Sequence, residues 1–371
     1  MKITRIETIP VLVPIKSQFA IRFSQGQHSA SPFLIVKVHT DDGIVGLGEV
    51  SCTPLWSGED HFTAKHFIDG TLGPALIGRD PRDVAANFDL VNLLLAGNIF
   101  TKSALEMACW DILGKAANLP LYRLLGGLVR DKVLLKFSIS GAEPEKSAEL
   151  ALWAKDEGFR TVKVKVGINP ESDVARVKAV RKAVGNDIRI GVDANGGWSV
   201  RDAIPAIRKL ETECGIYFAE QPVSALDPAD MAAVRKAVNA PVIADESVFT
   251  LQDAMTVARS GAADVLSVYV GKSGGIGGAR KMASVAEAAG LACTVGSNLE
   301  LGIASAAMIH LAVSTPGIGA EDFPCDIIGP YYYESDILTE RLPLADGTAS
   351  PLDLPGLGIT IDEEMLARYS V

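Results

Sequence analysis

The 371-residue sequence predicts an α/β protein, in which a smaller α+β domain precedes a closed β/α barrel. Three observations support this prediction. The first 55 or so residues contain antiparallel strand patterns, and short apolar strands alternate with helices from about residue 133 onward. A charged residue also recurs at the ends of successive predicted strands. Strand–helix alternation with nearly continuous apolar strands indicates a parallel sheet that is covered on both faces.

Composition and charge limit the class of protein. Hydrophobic residues make up 48% of the chain and charged residues 22%, which is typical of globular proteins. The net charge is −10 and there is no basic block, so nucleic acids and anionic membranes are poor candidate partners. We expect a cytoplasmic protein without a membrane span, because there is no signal-peptide pattern and no run of 18 apolar residues. Five scattered cysteines without a CxxC spacing indicate neither disulfides nor zinc.

The amino-terminal domain begins with three predicted strands. They cover 2–14, 32–40 and 44–50, and Asp41-Asp42-Gly43 predicts the tight turn between the last two. The polar stretch 19–30 between the first two strands is predicted to be irregular. Helical patterns follow at about 60–70, 80–95 and 100–117.

The second part of the chain predicts eight strand–helix units without a long gap, which favours a closed barrel over an open sheet. The predicted strands are 134–140, 161–166, 188–193, 215–220, 241–245, 265–270, 292–296 and 318–322. The predicted helices between them are 173–184, 201–210, 229–237, 251–259 and 279–289. The predicted boundaries are therefore 1–127 for the first domain and 128–342 for the barrel, with a tail, 343–371, that returns to the first domain.

Five charged residues occupy one repeated position. The ends of predicted strands two to six carry, in order, Lys165, Asp193, Glu220, Asp245 and Lys272, at intervals of 28, 27, 25 and 27 residues. These intervals are each about one strand–helix unit. Equivalent strand ends converge at the mouth of a barrel, where barrel active sites lie, so we expect these side chains to share one pocket.

Three convergent carboxylates predict a metal ion. Asp193, Glu220 and Asp245 would repel one another in a partly buried mouth, and a hard divalent cation removes that cost. Ligation by oxygen alone suits Mg²⁺ and also Mn²⁺. The alternative is a network of salt bridges with the lysines and without a metal.

The lysines predict proton transfer. Lys163 and Lys165 are two residues apart and therefore project from the same face of a strand, where each positive charge should lower the pKa of the other amine. Lys272 arrives from the other side of the barrel. The predicted reaction is removal of the α-proton of a carboxylate by a lysine, with a metal-stabilised enediolate. The alternative for Lys163-Val164-Lys165 is a solvated edge strand.

Together these residues resemble the enolase superfamily. The likeness extends over nearly the whole chain and includes Trp110-Asp111-Ile112-Leu113-Gly114-Lys115 and Leu124-Leu125-Gly126-Gly127. Lys163-Val164-Lys165 with the three acids and Lys272 is similar to the muconate-lactonizing-enzyme subgroup. The resemblance implies a modified TIM barrel with an amino-terminal capping domain. It implies Lys165 and Lys272 as acid and base on opposite faces of the substrate, with Lys163 tuning Lys165 and the three acids holding Mg²⁺.

The resemblance also implies substrate contacts and supporting residues. The mandelate-racemase branch uses a histidine near strand seven, whereas this chain has Asn298 there, and His310 is expected to be structural. The expected substrate contacts are Ser24, Trp56, Asn298, Glu300 and Asp322. The expected supporting residues are Asn195 and Glu246, with Glu246 orienting Lys272. The alternative for Trp56 is an aromatic residue of the domain core.

The resemblance implies that the protein forms a homo-oligomer. The substrate is predicted to be a small carboxylate. The stretch 322–330 resembles relatives that act on proline derivatives, so the leading hypothesis is 2-epimerisation or dehydration of an amino acid such as cis-3-hydroxy-L-proline. Muconate cycloisomerase is the first alternative. A dipeptide or N-acylamino-acid epimerase is the second, although an Asp-x-Asp spacing near strand eight is missing. A Schiff-base aldolase or a non-catalytic binding barrel would not need the acidic triad.

Overall fold

A computed structural model describes residues 1–319 and 321–371, apart from the side chains of residues 27 and 28. The amino-terminal elements are strands β1 (Ile3–Pro14), β2 (Ile21–Phe23), β3 (Gly26–His28), β4 (Ala30–Thr40) and β5 (Val45–Ser51) and helices α1 (His61–Phe67), α2 (Gly73–Leu76), α3 (Val84–Leu94), α4 (Ile99–Ala117) and α5 (Leu121–Leu124). A 3₁₀ turn covers Ser17–Phe19 and a π-helical turn covers Ile68–Leu72.

The barrel elements follow in chain order. They are β6 (Val133–Leu134), β7 (Lys136–Ile139), α6 (Pro144–Asp156), β8 (Thr161–Lys165), α7 (Pro170–Val184), β9 (Arg189–Asp193), α8 (Val200–Cys214), β10 (Phe218–Glu220), α9 (Pro228–Ala237), β11 (Val242–Ala244), α10 (Leu251–Ser260), β12 (Val265–Val268), α11 (Ile276–Ala288), β13 (Ala292–Val295), α12 (Gly302–Ser314) and α13 (Gly329–Tyr332). The tail contains β14 (Leu344–Ala345), β15 (Thr348–Ala349) and α14 (Glu363–Tyr369).

The amino-terminal domain is an antiparallel sheet of order β1-β4-β5 against helices. Helix α4 lies directly on β5, because Gly46 and Gly48 leave room for its backbone. A Cβ atom at Gly48 would stand 2.0 Å from the carbonyl oxygen of Ala104, so no other residue permits this approach. The rigid sheet–helix unit is the platform from which the loops of this domain reach the barrel.

The barrel sheet is parallel, in the order β7 to β13. Strand register explains the repeated charges, because Lys165 pairs with Asp193 and Asp193 pairs with Glu220 across neighbouring strands. The strands therefore end at the same height and present their last side chains to one mouth. The predicted α/β fold with a β/α barrel and an amino-terminal capping domain is confirmed.

The predicted eighth strand at 318–322 is wrong. Of those residues, Glu321 and Asp322 are exposed and form a turn, and residue 320 lies outside the described residues. The barrel is instead closed by Cys325 and Asp326, whose neighbours on one side are β6 and β7 and on the other β13. The N–H of Asp326 donates to the carbonyl of Val295 (2.8 Å), and Cys325 accepts from the N–H of Lys136 (2.9 Å). The sequence misleads here because this contact is too short to form a regular strand pattern.

The stretch 19–30 is also more ordered than predicted. Strands β2 and β3 pair as a hairpin between the amino-terminal domain and the barrel mouth. Phe19 anchors it by packing its ring on Phe137 and Trp153, with centroids 5.7 and 4.7 Å apart. The backbone of Arg22 bonds the loop after β7, since its N–H donates to Ser140 Oγ at 2.8 Å.

The tail connects both domains. Strand β15 pairs with β14 and with β6 at the start of the barrel. Beyond α14, the N–H of Val371 donates to the carbonyl of Pro10 in β1 at 3.1 Å. Across the described ranges, no helix combines the length and apolar composition needed to cross a bilayer.

Candidate active site

A cleft of about 590 Å³ lies where the barrel mouth meets the amino-terminal domain. Its charged lining residues come from the ends of barrel strands and are called the floor: Lys163, Lys165, Asp193, Asp245 and Asp326. Five further lining residues are called the neutral wall: Ile21, Phe23, Trp56, Leu299 and Ile328. The two surfaces face one space but carry different chemistry.

Lys165 is the floor lysine at the end of β8. Its Nζ donates to Asp193 Oδ2 at 2.6 Å and to Asn195 Oδ1 at 2.9 Å. Asp193 is fully buried, and its other carboxylate oxygen accepts the N–H of Asn195 at 2.9 Å. Lys165 is therefore held by two oxygen acceptors while its side chain lines the cleft.

Lys163 lies deeper and joins several acids. Its Nζ donates to Glu220 Oε1 (2.6 Å) and to Asp326 Oδ2 (2.9 Å), and lies 3.4 Å from Asp193 Oδ2. Asp326 also pairs with Lys136, a fully buried lysine of β7, at 3.1 Å. Lys163 is thus the central cation of a buried ion cluster and is not on a solvated edge strand.

Lys272 is covered. It is fully buried, and its Nζ donates to the carbonyl of Asp245 (2.7 Å), to Asp245 Oδ1 (2.6 Å) and to the carbonyl of Ser267 (2.9 Å). The ring of Tyr269 lies 4.3 Å from Nζ, and its hydroxyl donates to Asp245 Oδ2 at 2.7 Å. The structure therefore brings Lys272 to the third predicted ligand but does not expose it on the cleft surface.

The ion cluster shifts the pKa values of its members. Burial would lower the pKa of Lys163, but the negative charges of Asp326, Glu220 and Asp193 outweigh it and raise this pKa well above its usual value. The expectation that a second lysine lowers this pKa is wrong for Lys163, because acids surround it more closely. Burial alone would raise the pKa of Asp193, but Lys165 and Lys163 lower it to about 2.

The pKa of Glu220 is raised, whereas that of Asp193 is lowered. Burial raises its pKa to about 8, with Lys163 opposing this shift and Asp193 adding to it. Its Oε2 is buried and has no hydrogen-bond partner among the described residues. This carboxylate oxygen of Glu220 is therefore available to coordinate a cation.

The carboxylate oxygens of the site suit a hard divalent cation, although in the described residues they are not yet arranged to coordinate one. Within residues 1–319 and 321–371, no three acidic, histidine or cysteine side chains stand together in a metal-binding arrangement. Lys163 accounts for this, because its ammonium lies between Glu220 and Asp193. All candidate donors are carboxylate oxygens, which suits Mg²⁺ or Mn²⁺. A single site shared by Asp193, Glu220 and Asp245 stays a prediction.

Glu246 was predicted to orient Lys272, but its hydrogen bonds go to other residues. Its Oε1 accepts from Asn195 Nδ2 at 2.7 Å and from Trp56 Nε1 at 2.9 Å, whereas the described hydrogen bonds of Lys272 go to Asp245 and Ser267. Because Asn195 also holds Lys165, the chain of bonds runs from Trp56 to this half-buried, cleft-lining lysine. Glu246 thus supports Lys165, and Trp56 both lines the cleft and bonds across the domain junction.

The predicted substrate contacts divide into two groups. Trp56 and Asn298 line the cleft. Ser24 does not, because its hydroxyl donates to the carbonyl of Asn195 at 3.2 Å. Glu300 is buried behind the lining and accepts from Ser297 Oγ (2.5 Å) and from the N–H of Asn298 (2.9 Å).

Asp322 lies at the wrong end of the barrel for a substrate contact. It is exposed, and the carbonyl of the adjacent Glu321 accepts from Arg189, at the amino-terminal end of β9. Asp326 is the acid of this segment that reaches the cleft. The error follows directly from the misplaced eighth strand.

The sequence interpretation missed Tyr269 and Leu299 as lining residues. Tyr269 follows β12 directly, at the strand end that also supplies Lys272, so the same periodicity contained a usable signal. Leu299 lies in a loop with no periodic pattern. His310 is structural as expected, since its ring stacks on Tyr122 at 5.7 Å and burial lowers its pKa to about 4.

Family models match most of the chain. Residues 5–126 match the mandelate racemase / muconate lactonizing enzyme amino-terminal domain, and residues 146–365 match the enolase C-terminal domain-like family. The chain is 36% identical to an N-succinyl-L-Arg/Lys racemase of Bacillus cereus, with 100% of this chain and 98% of the relative covered. The crystal structure of that racemase superimposes with a TM-score of 0.95 at 35% identity, covering 100% and 98% of the two chains.

Two further relatives show the range of activities. A dipeptide epimerase from Enterococcus faecalis, complexed with Mg and the dipeptide L-Leu-L-Tyr, gives a TM-score of 0.91 at 32% identity, covering 97% of this chain and 100% of that one. Muconate cycloisomerase 1 of Rhodococcus opacus is 31% identical, with 100% of this chain and 99% of the relative covered.

Proposed function

Because the chain belongs to the enolase superfamily, in its muconate-lactonizing-enzyme subgroup, we propose that it is a Mg²⁺-dependent isomerase of a small carboxylate. Its reaction begins with removal of the proton on the carbon next to the carboxylate, through an enediolate. The observation that carries the proposal is the position of Lys165, a cleft-lining amine held against an acid of the proposed metal site.

The residues have distinct roles in this proposal. Asp193, Glu220 and Asp245 hold Mg²⁺, which when bound supplies positive charge against the enediolate. Lys165 takes the α-proton, with Asn195 and Glu246 fixing the direction of its side chain. Lys163 stays charged, because the acids around it raise its pKa, and so contributes positive charge beside the substrate.

Lys272 is the proposed acid for the opposite face of the carbon. In the structure its three donor positions are bonded to Asp245 and Ser267, and Tyr269 covers it. Delivery of a proton from this side therefore requires Asp245 to release Nζ. Inversion at the carbon, as in a racemase or epimerase, depends on that release, whereas proton exchange by Lys165 does not.

Asp326 supports an amino-acid derivative as the substrate class. It lines the cleft at 2% exposure, and its buried Oδ1 has no partner among the described residues. A buried acceptor of this kind is stabilised by an N–H donor of the substrate. Amino acids such as cis-3-hydroxy-L-proline, N-acylamino acids and dipeptides all carry one, and both epimerisation and dehydration start from the same enediolate.

Cycloisomerisation of a muconate is the second candidate. It is favoured by the muconate cycloisomerase relative that matches the whole chain. Muconate has no N–H to offer Asp326, so this candidate leaves Oδ1 without a partner. A product with a new lactone ring would distinguish it from epimerisation.

The test is incubation in D₂O with Mg²⁺ and a panel of N-acylamino acids, dipeptides, hydroxyprolines and muconate, followed by ¹H NMR. The proposal predicts exchange of the α-proton for deuterium with an amino-acid derivative, and loss of that exchange with EDTA. Exchange that persists in EDTA, or no exchange and no product with any carboxylate in the panel, would contradict it.

A further inference from the structure

The neutral wall of the cleft contains one residue in a strained conformation. Leu299 has a φ of +58°, in the left-handed region, which is rare for residues other than Gly, Asn and Asp. In this conformation the Cβ atom of an L-residue approaches the following carbonyl oxygen too closely, which is unfavourable. Such strain persists only where the surrounding structure enforces it, and it often marks a functional position.

The surroundings of Leu299 do enforce it. Its N–H donates to Ser297 Oγ at 2.8 Å, and its carbonyl accepts from the hydroxyl of Tyr333 at 2.6 Å. The buried carboxylate of Glu300, the residue after Leu299, binds Ser297 Oγ and the N–H of Asn298, the two residues before it. The turn is thus fixed from both sides, and Leu299 is held on the cleft surface.

The hairpin from the amino-terminal domain supplies the opposite part of the wall. Ile21 and Phe23 alternate along β2 and therefore share a face, which is buried, while Arg22 between them is exposed. The backbone of Arg22 is tied to the barrel on both sides, to Ser140 Oγ at 2.8 Å and to the N–H of Gly141 at 2.7 Å. These bonds keep Ile21 and Phe23 on the cleft surface.

Charge is confined to the floor. In the part of the chain that the structure describes, every charged side chain lining the cleft comes from the ends of the barrel strands. Ile328 completes the wall at 1% exposure. Thr53, Ser297 and Asn298 add neutral polar groups to the lining but no charge. A charged group held against the neutral wall would lose water without gaining a partner of opposite charge, which is costly.

We propose that the neutral wall is a subsite for an uncharged apolar group, and that Leu299 is a specificity-determining residue. The inference rests on the proposed function and narrows it. The substrate carries its single carboxylate on the floor side and an apolar group, such as an aliphatic or aromatic side chain, on the wall side. Substrates with a charged group on the wall side, such as N-succinyl derivatives or muconate, fit this cleft poorly.

The test compares matched substrates in the α-deuterium exchange assay. N-acetyl-leucine is paired with N-succinyl-leucine, and L-Ala-L-Leu with L-Ala-L-Glu and L-Ala-L-Lys. We expect kcat/KM for the member whose side chain or acyl group is uncharged to be at least tenfold higher, since even one methylene group in an apolar pocket is worth roughly 10–200-fold. Equal or faster exchange of the charged members would overturn the inference and leave the proposed function intact. No exchange with any of them would count against both.

Variants at Leu299 test the residue itself. Leu299→Gly removes both the side chain and the strain, so we expect an unchanged or higher Tm and a higher KM for apolar substrates. Leu299→Arg should raise kcat/KM for the N-succinyl substrate relative to its N-acetyl partner by tenfold or more. Leu226→Arg, at a position 94% exposed, is the control for an added charge. Folded Leu299 variants with the selectivity of wild type would refute the assignment.

Discussion

The floor and the neutral wall of the cleft are built in different ways. The floor comes mainly from strand ends in register, where Lys165 and Asp193 pair across neighbouring strands and Glu220 pairs with Asp193 behind them. The wall comes from a hairpin, a strained turn and loop residues of both domains. In this molecule the repeated unit supplies the groups for proton transfer, and the irregular segments supply the surface for the rest of the substrate, as is usual for barrel enzymes.

The largest effect expected on the floor is that of Lys165→Met. Removing the proposed base should reduce α-proton exchange by roughly 10²–10⁴-fold, the usual contribution of a general base. Exchange is measured by NMR in D₂O. Lys178→Met is the matched control, because Lys178 pairs with Glu213 on the surface at 2.8 Å, away from the cleft. A Lys165→Met enzyme that retains wild-type exchange would remove this lysine from the mechanism.

Glu220→Gln tests the proposed metal site, in which Glu220 lies behind the floor. Losing one charged ligand should weaken Mn²⁺ binding by at least tenfold, measured by calorimetry, because hard cations prefer carboxylate oxygens. Asp322→Asn is the control, since that acid is exposed and outside the cleft. Equal Mn²⁺ affinity of the Glu220→Gln and wild-type proteins would show that Glu220 is not a ligand.

A buried acid next to the neutral wall, Glu49, predicts that the stability of the protein depends on pH. Glu49 of β5 accepts from the N–H groups of Leu301 (2.8 Å) and Ala304 (3.0 Å) at the start of α12, and burial raises its pKa to about 8. A raised pKa means that the folded state binds the proton more tightly. The stabilisation is complete below the unfolded pKa of 4.5 and is lost as the pH rises through about 8.

The slope contributed by this one group is at most about 1.4 kcal/mol per pH unit. Glu49→Gln cannot lose the proton, so its unfolding free energy should fall less steeply than that of wild type between pH 5 and 8. Urea unfolding at several pH values measures both slopes. Parallel curves for the two proteins would contradict a raised pKa at Glu49.

The smallest effect is expected for Trp56, a residue of the neutral wall that is linked by hydrogen bonds to Lys165 of the floor. Trp56→Phe removes the bond from Nε1 to Glu246 but can keep the stacking on Tyr269, whose ring is 5.6 Å away and nearly parallel. Since Glu246 acts on Lys165 through Asn195, we expect a two- to tenfold decrease in kcat with little change in Mn²⁺ affinity, a rough range set by the ~0.5–1.5 kcal/mol of one ordinary hydrogen bond. Trp153→Phe, in the aromatic cluster at Phe19, is the control. A kcat equal to that of wild type would exclude this chain of bonds from the reaction.

The comparison also explains what the sequence could predict. Lys165, Asp193 and Glu220 were predictable because their spacing repeats with the strand–helix unit, and the structure aligns them in register. The eighth strand was misplaced because the closing contact involves only a few residues around Cys325, and Asp322 was therefore wrongly expected at the barrel mouth. The partners of Glu246 and the conformation of Leu299 depend on contacts between distant segments, which no local pattern encodes.

The central claim is that Asp193, Glu220 and Asp245 share one divalent ion beside Lys165. The most direct measurement is a crystal grown with Mn²⁺, with the ion located by its anomalous scattering. We expect one peak coordinated by all three carboxylates, with Lys163 displaced from between Glu220 and Asp193. A peak elsewhere, or well-ordered density in which these acids remain paired only with lysines at saturating Mn²⁺, would contradict the account.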